Sequence, residues 1–174
     1  MKTPDIKQNP HPKMRYEITL TIQGAPGPFD SVTGFMQYEI ANEECAPKDT
    51  FAGVYHKPPI QHPPIVFTRV SDYVYTGIVH LDLMQDEDYY GLAVCHWAMT
   101  AAIVELKAKG ATFSTSASLD DVVAQKPSTK YLWKQAYLDP ASGDSSGNSV
   151  PLIDAVKQHP ERYFSATLIA KEDF

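Results

Sequence analysis

The stretch Met14–Gln23, "MRYEITLTIQ", alternates without a break. Met14, Tyr16, Ile18, Leu20 and Ile22 fall on one face, and Arg15, Glu17, Thr19, Thr21 and Gln23 on the other. A period of two is that of extended chain, and one apolar face opposite one polar face describes a half-buried antiparallel strand. Such a strand needs a second layer over its apolar side, and the rest of the chain offers one. "VTGFMQYEI" repeats the pattern with Val32, Met36, Tyr38 and Ile40 inward. "IVFTRV" and "YVYTGIVHLDLM" read as further strands, with Tyr73, Tyr75, Val79, Leu81 and Leu83 on the core face of the second. "AVCHWAMTAAIVELKAKG" is rich in alanine, yet Cys95, Trp97, Met99, Ala101 and Ile103 keep the strand period, so a strand is expected there. Gly110 turns the chain into "ATFSTSAS", and "KYLWKQAY" and "RYFSATLIAK" complete the set.

Two short helices interrupt the strands. Ser118 followed by Asp121 is a variant of the capping box and predicts a helix over "LDDVVAQ". "PLIDAVKQH" opens with Pro151 at a suitable first helical position and stops before Pro160. "LDPASGDSSGNSV" reads as a mobile loop, whose Asp144 and Asn148 fall short of the ligand spacing of a calcium loop. The expected architecture is all-β and mainly antiparallel, a β-sandwich of about eight strands with one or two short helices. One domain spans residues 14–174. Residues 1–13, with three prolines and one aliphatic side chain, are expected to be a flexible tether reaching roughly 35 to 40 Å when extended.

A net charge of −6 with no cluster of lysine or arginine argues against nucleic acid and against an anionic membrane surface, and favours a positively charged protein partner. Cys45 and Cys95 are the only cysteines and leave two readings: two buried thiols, or a disulfide. The polar setting "ANEECAPKD" speaks against a buried thiol at Cys45. A bond closing so long a loop would stabilise the fold by roughly 4 kcal/mol in the chain-entropy model and would imply an oxidising compartment. "MKTPDIK" has no apolar segment of the kind a signal peptide needs, so the expectation is a mature chain whose leader has been replaced by Met1.

Candidate chemistry is sparse. His56 and His62 in "YHKPPIQHPPI" lie in a proline-stiffened connection and lack the converging ligands of a zinc site. His80, Asp82 and His96 would form a general-base cluster if neighbouring strands brought them together. No nucleophile elbow, metalloprotease helix motif or phosphate loop occurs, and Cys95 has nothing to lower its thiol pKa. No catalytic residue, metal or cofactor is therefore assigned. "QDEDYYG" is the best candidate for contact with a partner: Tyr89 and Tyr90 supply aromatic area, and Asp86, Glu87 and Asp88 would steer a basic surface.

The succession "YEITLTIQGAPGPFDSVTGFMQYEI", "NEEC", "FTRVSDYVYTG" and "LDLMQDEDYYGLAVCHW" resembles a group of small bacterial lipoproteins encoded beside antibacterial effectors, particularly phospholipases delivered by type VI secretion. The likeness covers most of residues 14–106, and its motifs are structural. It implies a periplasmic immunity protein that binds a lipase-like effector and blocks its active site. It further implies that Cys45 and Cys95 pair, and that residues 2–13 are the spacer after a lipidated cysteine. Membrane contact would come only through that N-terminal lipid anchor, which this sequence does not contain. The rival expectations are an envelope lipoprotein that is structural or binds glycan, and a hydrolase using the His and Asp residues above.

Overall fold

The structure, a computed structural model, describes residues 3–140 and 146–174. The chain runs through β1 (Arg15–Gln23), β2 (Ser31–Ile40), β3 (Lys48–Asp49), β4 (Val54–Tyr55), β5 (Pro64–Ile65), β6 (Thr68–Ser71) and β7 (Val74–His80). It continues through β8 (Trp97–Ala108), β9 (Ala111–Ser118), α1 (Leu119–Ala124), β10 (Ser128–Trp133), α2 (Lys134–Leu138), β11 (Ser146–Asn148), α3 (Asp154–Gln158) and β12 (Tyr163–Glu172). Two five-stranded sheets form the sandwich, in the orders β10-β12-β1-β7-β6 and β11-β9-β8-β2-β5, while β3 and β4 make a separate hairpin. The all-β, mainly antiparallel architecture is as the alternation predicts. The added strands are short ones that carry no periodicity.

β1 lies in the middle of its sheet and buries Tyr16, Ile18, Leu20 and Ile22, the face the sequence assigns inward; Met14 stays outside the strand and exposed. From the other sheet come Met36, Tyr38, Met99, Val104, Leu106 and Phe113. Phe113 of β9 and Phe164 of β12 meet edge to face across the gap, their centroids 5.4 Å apart. Tyr38 is fully buried, and its hydroxyl donates to the His80 carbonyl, so that one polar bond joins the sheets inside the apolar layer. Burial holds its phenol pKa far above the usual value.

The proline-rich connection serves as an edge partner of β2: the Gln61 and Tyr38 backbones exchange both bonds, and the Pro63 carbonyl accepts from Met36 N–H at 2.8 Å. Prolines suit that place, because an outer edge strand needs few donors. The chain then crosses between sheets at Phe67, whose ring lies against Gly34 of β2 and Gly77 of β7. A Cβ on Gly34 would stand 2.8 Å from that ring. On the opposite side β11 pairs in parallel with β9, and Val150 then exchanges both backbone bonds with Tyr131 of β10. Residues 146–150 thus hem the two sheets together.

Several expectations are corrected. In β8, Ala101 and Ile103 point outward, and Ala102, Val104 and Leu106 are buried instead. The register against β2 shifts between Gln37 (opposite Ala101) and Tyr38 (opposite Met99). Thr100 is the extra residue of a β-bulge, which reverses the faces beyond it. "KYLWKQAY" is a strand only to Trp133; Lys134–Leu138 are helical, being good helix formers, and they bury Tyr137 with its hydroxyl donated to the Pro28 carbonyl at 2.7 Å. The expected loop at 139–150 contains β11, with Asn148 in it, while Asp144 lies outside the described residues. α3 starts at Asp154 rather than Pro151, because Val150 is held extended by its bridge to Tyr131. Tyr73 lies before β7 and is exposed; Leu81 and Leu83 pack on the core from beyond its end.

Candidate functional site

Cys45 and Cys95 form a disulfide, and both are fully buried. With Ile40 and Ala46 they make a second, small apolar cluster at one end of the sandwich, onto which Tyr55, Tyr89, Tyr90 and Trp97 pack. That cluster is the floor of the candidate site. The turn from Gln85 to Cys95 crosses it with one backbone bridge, in which Cys95 N–H donates to the Glu87 carbonyl at 2.9 Å.

The three acids of that turn have internal partners. Asp86 accepts from Trp97 N–H at 2.9 Å and lies 2.9 Å from His96 Nδ1. Asp88 closes the turn by accepting from Gly91 and Leu92 N–H at 2.7 and 3.0 Å. Glu87 pairs with Lys7 at 3.1 Å. Tyr89 donates its hydroxyl to the Gln85 carbonyl at 2.6 Å, which bends the turn back on itself. Tyr90 is half-buried, and burial raises its phenol pKa. The five residues singled out from sequence are thus together: Asp86 and Asp88 fix the shape of the turn, Glu87 ties it to Lys7, and the two rings pack on the disulfide cluster.

Lys7 belongs to the leading segment, which is docked where a flexible tether was expected. Its backbone pairs antiparallel with the segment after β7: Asn9 N–H donates to the Leu83 carbonyl at 2.7 Å, and Gln85 N–H to the Lys7 carbonyl at 2.9 Å. The Asp82 carboxylate accepts from Lys13 and Met14 N–H at 2.8 and 3.0 Å, holding the corner where this arm enters β1. Ile6, its one aliphatic side chain, packs against the main core. The arm needs no alternating pattern because backbone and carboxylate groups hold it. Between arm and turn runs an open groove lined by Thr3, Pro4, Asp5, Lys7, Tyr89 and Tyr90.

The histidine cluster does not assemble. Asp82 is engaged by the arm, His96 by Asp86, and burial lowers the pKa of His80 despite the nearby Asp82 charge. His56 stands 4.0 Å from Asp49, whereas the His62 ring packs edge-on against Phe35 at 5.0 Å. Among the described residues no three histidine, cysteine or acidic side chains converge as metal ligands. No helix of the described residues is long and apolar enough to cross a membrane.

Sequence reasoning missed the hairpin β3–β4, which springs from Cys45. Asp49 accepts from Phe51 and Ala52 N–H at 2.9 and 3.0 Å, and Gly53 N–H returns to the Asp49 carbonyl at 2.7 Å. Gly53 has φ of +72°, a conformation that favours glycine. The Phe51 and Ala52 N–H groups hold the Asp49 carboxyl below its usual pKa. The "DTFAG" composition of this tip was its only local signal. No family model matches the chain, and no curated protein or solved structure compared with it does either.

Proposed function

We propose that this chain is an immunity protein, a disulfide-tied binding module that occludes the active site of a cognate antibacterial effector of the lipase class. The observation that carries the reading is the Gln85–Cys95 turn, clamped by the disulfide on one side and the arm on the other, with Tyr89 and Tyr90 lining a groove. Holding aromatic side chains rigid before association lowers the entropy lost on binding, as an inhibitor requires. The kind of partner rests on the sequence resemblance, as does the proposed place of action in the periplasm on a lipid anchor ahead of the arm; a disulfide accords with an oxidising compartment.

The test is to mix the purified chain with the phospholipase encoded beside it, following lipid hydrolysis and complex formation together. Stoichiometric loss of hydrolysis is expected. Full activity with no complex would sink the reading. Charge reversal at Asp86 or Asp88 would disturb the turn itself, so Tyr90→Ala is the cleaner contact variant.

A further inference from the structure

Beside the outer edge of β7 lies a second cleft, of about 520 Å³, which shares no residue with the groove at Tyr89 and Tyr90. Met36, Val66, Ile78 and Leu83 give it apolar walls, and Glu17 and His80 are the titratable groups that line it. Leu81 N–H donates to the Met14 carbonyl at 2.9 Å and Ile22 N–H to the Tyr73 carbonyl at 2.8 Å, so the odd-numbered residues of β7 bond to β1. Thr76, Ile78 and His80 therefore aim their main-chain groups the other way. Thr76 meets Thr68 of β6 there, and the His80 carbonyl takes the Tyr38 hydroxyl. Ile78, between them, has no strand to meet, because β6 begins only at Thr68 and the chain before it belongs to the other sheet. Among the described residues no backbone bond from that side reaches Ile78.

The polar side chains of the cleft are as unengaged as that main chain. Among the described residues neither the Glu17 carboxylate nor the His80 imidazole has a hydrogen bond or an ion pair. Burial, with Arg15 adding to it, lowers the pKa of His80 against the pull of Asp82, so at pH 7 the ring is neutral and offers an acceptor nitrogen. Of the cations on this face, Arg15 is tied to Asp173; Lys171, opposite Glu17 on β12, forms no ion pair among the described residues and does not line the cleft. The complement of one carboxylate set among apolar walls is a cation on an aliphatic stem. A residue paired with Ile78 would stand two strand spacings, about 10 Å, from β1. Its side chain would lie on the same face as Ile78 and as Glu17, the partner of Ile78 across the ladder. We propose that this cleft docks one residue of an extended basic segment of a protein partner: its main chain exchanges both bonds with Ile78, and its lysine or arginine side chain runs over Ile78 to set the charge against Glu17. This is strand addition at a sheet edge, with one pocket choosing the side chain. It does not depend on the effector reading.

The experiment titrates the isotope-labelled full chain with three peptides: acetyl-Val-Lys-Val-amide, the same peptide with norleucine for lysine, and the same peptide N-methylated at the lysine nitrogen. The expected result is a saturable shift of the Ile78 amide in the millimolar range, with slower exchange of that amide. Glu17→Gln, its melting temperature unchanged, should weaken the lysine peptide about threefold and leave the norleucine peptide, already weaker by that factor, unaffected. N-methylation removes the donor to the Ile78 carbonyl and should weaken binding at least about tenfold. No saturable response at Ile78 up to about 20 mM lysine peptide overturns the site. If norleucine binds as tightly as lysine, or both lose equally with Glu17→Gln, the basic occupant is overturned. Equally tight binding of the N-methylated peptide overturns the main-chain pairing, and the proposal with it. None of these outcomes bears on the effector reading, which rests on the Gln85–Cys95 turn.

Discussion

β1 and β12 run in unbroken register from Tyr16 opposite Glu172 to Gln23 opposite Ser165, whereas between Leu83 and Cys95 pairing is reduced to two isolated bridges, Gln8–Met84 and Glu87–Cys95. The sandwich is held by many small apolar contributions, each about 1.5–3 kcal/mol for a fully buried large side chain, that succeed or fail together. The disulfide end is held by separate pins: one covalent bond, Asp82, Asp86 and Asp88 on backbone amides, and one surface ion pair. A region built from pins can be loosened one pin at a time while the sandwich stays folded.

The contrast can be broken or sharpened by experiment. Replacing Cys45 and Cys95 together by serine should cost about 4 kcal/mol in denaturant unfolding, because the long loop they close no longer constrains the unfolded chain. Amide exchange should rise from Gln85 to Cys95 before it rises in β1. Uniform acceleration throughout would show that the two regions are one cooperative unit. Leu20→Ala should lower stability by about 3 kcal/mol with affinity for the proposed effector unchanged, since its side chain is fully buried in the sandwich; an affinity loss larger than the stability loss explains would erase the division. Asp86→Ala, which frees the Trp97 amide at an exposed site, should cost only about 1 kcal/mol and show mainly as faster exchange near Trp97. Lys7→Ala should change stability by less than about 1 kcal/mol, its partner being on the surface.

The pH dependence of the hairpin is a finer probe. Asp49 has its carboxyl pKa lowered by the N–H groups of Ala52 and Phe51, so its bonds are fully present above the unfolded value, near 3.9. They are lost as pH falls through the depressed folded value. The Phe51 amide resonance should therefore titrate below the ordinary aspartate range. Titration at or above it would mean that the tip is not held as described.

What was legible in the sequence follows the same division. Tyr16 to Ile22 could be placed because alternation in β1 is set by its own residues, and the Ser118 hydroxyl does accept from Asp121 N–H at 3.3 Å, as the spacing suggests. The reversal of faces in β8 could not be read, because Thr100 becomes an extra residue only through its pairing with β2. The arm was opaque for another reason. Its contacts are made by the main chain of Lys7 and Asn9 and by Asp82, which in sequence is indistinguishable from a solvated acid. The same holds for Asp86 and Asp88, read as steering charges and found to accept from backbone amides. Alternation reports where side chains go, and it is silent about which carboxylates have backbone donors to satisfy.

Because the arm runs antiparallel to the segment after β7, Thr3 emerges at the groove beside Tyr89 and Tyr90. A purification handle fused at that end would crowd the groove and compete with whatever enters it. A small fluorophore attached there would instead become an optical reporter, its emission changing as a guest displaces solvent around the two tyrosines. The direction of one docked strand thus decides which end of the chain should be left bare for a binding assay and which should be labelled to watch one.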